Sequence, residues 1–301
     1  MSPDPSPAYE QLRQRGLALI HQGRLAEALE IFDRAWRLAG RSQDRNLEER
    51  AYCNRSAVAI ELGETGDAVA RLREILVRNE SPENCFFAAY HIARIYELAR
   101  EHKKGRFYAR IACDRAGALQ QPMWQAWSHN RMGNLLLAES FVDAATEHYE
   151  DALMLLEALE KGPSVERAKI LDNLGYCRII DSRVAEGFTL LFRSLRMLRG
   201  LGAREAFVST RLDLSFAYLE IGRYRHARRH ALAALEIARD VGQEESVKNA
   251  LYLLGEAANL AGRVAEARSW FGQLQKFYPD TPFVTDFLLS IDVRKIINLK
   301  A

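Results

Sequence analysis

His226 and His230 stand one helical turn apart, a spacing at which two imidazoles can share a metal ion. No third ligand accompanies them, so the pair reads as a solvated helix face. The four cysteines, Cys53, Cys85, Cys113 and Cys177, contain no C-x-x-C pair. Neither a zinc site nor a disulfide framework is indicated, and they read as buried or half-buried thiols in a reducing cytosol. Phosphate and hydrolase chemistry can be tested in the same way. The chain has no Walker-type G-x-x-x-x-G-K loop, no G-x-G-x-x-G after a strand, no H-E-x-x-H and no G-x-S-x-G elbow. Gly63-Glu64-Thr65-Gly66 looks like a phosphate loop but falls where two helices turn. The carboxylate pairs Glu48/Glu49 and Glu244/Glu245 open helices, where they favour the positive end of the helix dipole. These readings predict no catalytic residues, no cofactor and no metal.

Two basic runs remain. One comprises Arg223, Arg225, His226, Arg228, Arg229 and His230, the other His102, Lys103, Lys104, Arg106 and Arg110. Each is a solvated helix face or a docking patch for an acidic partner. Aromatic residues are not interleaved with the first run as a base-stacking platform requires, and the net charge of +2 gives no bulk attraction for nucleic acid or an anionic membrane. No apolar stretch approaches the ~18 residues of a membrane span. The opening Met1-Ser2-Pro3-Asp4-Pro5-Ser6-Pro7 lacks the basic and apolar regions of a signal peptide. A cytoplasmic location is expected, and the excess of Arg over Lys points to GC-rich, bacterial coding.

The elements that position these residues are written in small side chains. Seven triples recur: Gly16/Ala28/Ala35, Ser56/Ala68/Ile75, Ala93/Gly105/Ala112, Gly133/Ala145/Ala152, Gly175/Gly187/Ser194, Ser215/Ala227/Ala234 and Gly255/Ala267/Leu274. Their period of about 40 residues marks a repeat array. The first two members let two antiparallel helices approach closely, and the third, a place violated only by Ile75 and Leu274, admits the next turn of the second helix. Gly or Ser usually lies five residues before the middle member, at Gly23, Gly63, Ser140, Ser182, Gly222 and Gly262. First helices are expected over 9–22, 48–62, 84–99, 123–138, 165–180, 206–221 and 245–261. Second helices are expected over 25–39, 65–78, 102–117, 142–159, 184–199, 224–239 and 264–276. A last helix over 283–297 reads as a cap, with Phe287, Leu288, Ile291 and Ile296 packed and Asp292, Arg294, Lys295 and Lys300 in water.

The repeat resembles the tetratricopeptide repeat. The last one reads Leu251-x2-Leu254-Gly255, then Gly262, Ala267-x3-Phe271 and Pro279; the fourth has Met132-Gly133, Ala145-x3-Tyr149 and Ala152; the sixth has Leu214-Ser215-x2-Tyr218, Gly222, Tyr224 and Ala227. The match runs over roughly 9–280. Arg15 and Arg55 replace the usual Leu and Arg178 the usual Tyr, which predicts loose packing in repeats two and five. The resemblance implies an all-α, right-handed α-solenoid: a disordered lead-in over 1–8, one superhelical domain of seven repeats over 9–282 and a capping helix over 283–301.

In this family first helices line the concave face. The resemblance therefore implies a groove bearing Arg50, Cys53, Asn54 and Ala57; Phe87, Tyr90, His91 and Arg94; Trp127, Asn130, Arg131 and Asn134; Lys169, Asp172, Asn173 and Tyr176; and Leu212, Asp213, Phe216, Asn249, Tyr252 and Glu256. An Asn amide can bracket a peptide bond, and aromatics are favoured at binding hot spots. Tyr90, Arg94, Trp127, Asn130, Asn134, Asp172, Asn173, Tyr176, Phe216 and Tyr252 are the candidate partner-binding set, with Asn134 and Asn173 at two of the family's peptide-holding places. The same aromatics could instead pack between neighbouring repeats. Leu17, Cys53, Ser209 and Asp213 stand where a carboxylate clamp would need basic residues. The implied function is non-enzymatic binding of a protein or peptide segment, as an adaptor. The alternative is a peptide- or ligand-sensing regulatory subunit acting on a separate effector chain.

Overall fold

Helix boundaries follow local chemistry. Asp44 accepts from the Leu47 N–H at 3.1 Å, Ser81 from Asn84 at 3.3 Å and Ser164 from Arg167 at 3.2 Å, each satisfying an orphan donor of a helix start. Pro82 and Pro122 occupy first turns, where a missing N–H costs nothing. Helices stop where one residue turns left-handed. Gly23, Gly63, Ser140, Ser182, Gly222 and Gly262 have φ between 62° and 76°, and Arg100, at φ 57°, fills the same place in repeat three. The next residue then donates back five positions, as Arg24 to Leu19, Arg183 to Arg178 and Arg263 to Ala258. This closing bond satisfies the last carbonyls of the first helix and reverses the chain.

The structure, a computed structural model, describes residues 6–159, 162–291 and 298–300. Among these residues there are fifteen helices and no strand, and the chain divides into two compact units, 1–139 and 140–301. The first holds α1 (Ser6–His21), α2 (Leu25–Ala39), α3 (Arg45–Glu61), α4 (Ala68–Arg78), α5 (Pro82–Leu98), α6 (His102–Ala118) and α7 (Pro122–Ala138). The second holds α8 (Val142–Leu159), α9 (Val165–Ile180), α10 (Val184–Leu201), α11 (Arg204–Glu220), α12 (Tyr224–Asp240), α13 (Glu244–Leu260), α14 (Val264–Gln275) and α15 (Val284–Ser290). Consecutive helices pack as pairs within each unit. Odd helices also touch the next odd helix, α1 to α3 to α5 to α7 and α9 to α11 to α13, so they share one face.

Within each unit, small residues of the triples sit where helix pairs close. A Cβ on Gly175 would lie 2.7 Å from Leu191, one on Gly187 2.9 Å from the Gly175 carbonyl, and one on Gly255 2.3 Å from Phe271. Ser215 fits the same place by donating to the Ala227 carbonyl at 3.0 Å.

Several expectations change. The helix begins at Ser6 rather than after a lead-in to residue 8, because Pro7 falls in the first turn, where its fixed φ suits a helix. In repeat two α4 starts only at Ala68 and α3 packs more on α5 than on α4, yet Ala68, Leu72 and Ile75 are buried in one core with Tyr52 and Ile60, so the repeat is wider-spaced rather than loosely packed. Repeat five is not loose. The Gly175–Gly187 contact seats α9 tightly on α10, and Arg178 finds ion pairs with Glu150 and Glu186 at the rim. Arg55 pairs with Asp33 at 2.5 Å and lies over the Trp36 ring. The capping helix buries Leu288, but Phe287 and Ile291 stay exposed, because seven residues offer one stripe to α14. Ile296, Asp292, Arg294 and Lys295 lie outside the described residues. His230 is buried rather than solvated; it stacks 5.4 Å from Tyr218, and burial with Arg211 nearby pulls its pKa down to about 4.

Candidate functional site

The expected partner-binding residues fall into two clusters on odd-helix faces, one in each unit. In the first unit Tyr90, Arg94, Trp127 and Asn134 gather around a residue the sequence reading passed over, Glu97. Glu97 pairs with Arg131 and, at 3.3 Å, with Arg94, and it accepts from Asn134 Nδ2 at 3.2 Å. Arg131 also donates to the Tyr90 hydroxyl at 3.0 Å and lies 4.8 Å from the Tyr90 ring centre. Burial pushes Glu97 up, but Arg131 and Arg94 outweigh it and hold the carboxyl below its ordinary range. Tyr90, Arg94 and Glu97 are spaced i, i+4, i+7 on α5, so helical periodicity was the signal that could have found it. Asn130 is half-buried one turn before Asn134, and its Oδ1 is buried with no hydrogen-bond partner. His91 is buried beside this cluster, and desolvation with the Arg131 charge pulls it down to about 4.

The second cluster lies on α9, α11 and α13. Tyr176 and Phe216 form an aromatic floor, with ring centres 5.5 Å apart. Asp172 and Asp213 stand beside it, and Ser209 donates to Asp172 at 2.9 Å. Residues 298–300 of the same chain are seated here. The Leu299 N–H donates to the Tyr176 hydroxyl at 3.3 Å, and Asn249 Nδ2 donates to the Leu299 carbonyl at 3.3 Å. Lys300, expected in water, is instead drawn between Asp172 and Asp213. Its side chain is long enough to carry the charge to two carboxylates that water does not reach. Ser209 and Asp213, at the places where a carboxylate clamp would need bases, thus hold an ammonium. Burial and the neighbouring Asp172 push Asp213 well above the ordinary carboxylate range. Burial pulls Lys300 down, but Asp172 and Asp213 overcome it and keep the ammonium protonated. Asn173 is half-buried on the next stripe of α9. Tyr252 is buried with its ring 6.5 Å from Phe271 of α14, so it faces the helix-pair interior.

Burial pushes the Cys113 thiol up to about 12 and Cys177 up to about 11, so neither supplies a thiolate at neutral pH. On the even-helix side, Arg225, Arg228, Arg229 and Arg239 with Trp270 line an open cleft of about 690 Å³, and Arg228 is paired with Glu266 at 2.9 Å.

Residues 212–282 match a family model described as Tetratricopeptide repeat, and residues 11–34 match a second of the same description. No curated protein matches the chain. Among solved structures, a Rap protein complexed with Competence and Sporulation Factor superposes with a TM-score of 0.73 at 12% identity, covering 96% of this chain and 79% of that one. The apo form of RapI gives 0.68 at 12% identity, covering 91% and 99%. PilF of Pseudomonas aeruginosa gives 0.54 at 21% identity, covering 79% and 96%. These likenesses show the fold. No described helix is long and apolar enough to cross a membrane.

Proposed function

Because the chain belongs to the tetratricopeptide-repeat family, whose members generally act as protein-interaction modules, we propose that it is a non-enzymatic adaptor holding a segment of another protein against its odd-helix faces. One observation carries this reading. Tyr176 and Asn249 bracket the N–H and C=O of a single residue, Leu299, so this face already has the chemistry that grips a main chain. Main-chain contacts give affinity without regard to sequence; neighbouring pockets give selectivity. In the first unit the Tyr90–Trp127 rings offer contact area, and Asn134 would have to exchange its bond to Glu97 for one to a ligand.

A displayed library of short peptides selected on the full chain tests the reading. Selected peptides should bind Asn249→Ala about two- to tenfold more weakly, as for one lost hydrogen bond of ~0.5–1.5 kcal/mol, while the melting curve is unchanged. The double change Asn134→Ala with Asn173→Ala tests the remaining places in the same way. Binding that survives all of these but is lost on charge reversal of Arg225, Arg228 and Arg229 would move the working face to the even helices. A ligand-sensing regulatory subunit is the second reading, favoured by the likeness to a Rap protein solved with a bound factor. X-ray scattering separates the two, since a sensor changes its dimensions on binding and an adaptor does not.

A further inference from the structure

The residues around 298–300 form a site for one kind of side chain. Lys300 Nζ lies 2.6 Å from Asp213 Oδ2, 3.3 Å from Asp172 Oδ2, 3.1 Å from Ser209 Oγ and 5.3 Å from the Tyr176 ring centre. Three oxygens around a compact charge suit the three donors of an ammonium, whereas a guanidinium fork prefers coplanar pairs. An aromatic face adds attraction for a cation. The two carboxylates come from different helices, α9 and α11, and only 4% and 2% of their surface is exposed. Asp172 Oδ1 is buried with no hydrogen-bond partner, so Lys300 does not exhaust the pocket's capacity to accept.

Without a cation, two adjacent buried carboxyl groups must either share a proton or stay charged and unpaired, and each state gives up the ion pairing they make with an ammonium. A neutral segment that displaced 298–300 would force the pair to take up a proton or remain unpaired; a segment bringing its own ammonium would keep the ion pairs. From this we infer that the Asp172–Asp213 pocket sets the selectivity of the groove: it reads a lysine side chain on the partner segment, and Lys300 is the chain's own occupant, which that partner displaces. The inference rests on the groove reading above and adds the chemical class of the ligand.

The test uses the full chain, as wild type and as Lys300→Ala. The probe is a labelled peptide with the sequence of residues 297–301, Ile-Asn-Leu-Lys-Ala, blocked at both ends, together with its norleucine-for-lysine analogue. By fluorescence anisotropy the lysine peptide should bind Lys300→Ala roughly tenfold more tightly than wild type, because the competing occupant is gone. The norleucine peptide should bind that variant at least roughly tenfold more weakly than the lysine peptide. Equal binding of the lysine peptide to both proteins would overturn the competitor role of Lys300. Equal binding of both peptides would overturn lysine reading while leaving the groove reading intact. A folded Lys300→Ala that binds neither peptide would overturn both. Asp213→Asn in the Lys300→Ala background should abolish the preference for lysine. Because a change at so buried a site can disturb folding, the norleucine comparison tests the pocket without altering it.

Discussion

Gly187 and Gly200 lie on the same helix, α10, and should respond oppositely to the same change. Alanine is better than glycine in a helix interior by ~0.5–1 kcal/mol. At Gly200 a Cβ meets nothing within 4 Å, so Gly200→Ala should stabilise by about that amount. At Gly187 the Cβ would lie 2.9 Å from the Gly175 carbonyl, which is backbone and cannot rotate away. Overpacking of ~1–3 kcal/mol wins there, and Gly187→Ala should lower the urea midpoint. His91 sets a pH-dependent contribution. Its folded pKa, about 4, lies below the ordinary value of 6.5, so the unfolded chain takes up more protons between those values. Stability is full above pH 6.5 and is lost as the pH falls toward 4, by on the order of 3 kcal/mol. Desolvation is the main cause, followed by Arg131, while Glu61 opposes both. The carboxylates titrate in the same range, so the comparison is between proteins: His91→Phe, keeping the stack on Phe87, should lose less stability than wild type between pH 7 and 4.5 in urea titrations.

Helix pairs were legible because a close approach leaves room only for a small side chain, and that constraint recurs within both units. The left-handed turn residue was legible for the same reason, since its backbone disfavours most side chains. Where the chain departs from glycine it carries strain. Ser182→Gly should stabilise by ~0.5–1 kcal/mol, the left-handed penalty less the entropy a glycine adds to the unfolded chain; an unchanged melting temperature would show that the turn relaxes. Loose packing was misjudged in repeat five because a single Arg at a helix rim can be satisfied sideways, by Glu150, without disturbing the interior. The odd-helix stripe was legible by face, but what each of its side chains meets was not. Asn134 and Arg94 sit on the expected stripe, but whether an amide meets water or Glu97 depends on a residue one helix away, which no local pattern records.

Across the molecule, stability in such an array is a sum of repeat and nearest-neighbour terms. Gly187→Ala should therefore speed amide exchange most in α9 to α11 and leave α1 to α4 at their wild-type rates. Uniform acceleration along the whole chain would show instead a single cooperative block. The all-helical fold was the most legible property, since a small-residue pattern sustained over seven repeats leaves no alternative period, and far-ultraviolet circular dichroism should contain no strand component. Least legible was the return of residues 298–300 to α9, α11 and α13. Leu299 reaches Tyr176 and Asn249 from 123 and 50 positions away, and its neighbour Lys300 looks, in sequence, like any other solvated lysine.

That lysine also differs from the others as a reagent. Acylation requires a neutral amine with an open approach, and Lys300 offers neither: Asp172 and Asp213 hold its proton, and the groove shields it. Lys104, on the surface of α6, is also ion-paired, with Glu101, but its side chain has open approach and its partner is in water. In a brief treatment with an acetylating ester, peptides carrying Lys104 should be modified well before those carrying Lys300. When something else fills the pocket, Lys300 should become as reactive as its surface counterparts, so the mass of one peptide reports whether the groove is held by its own chain or by another.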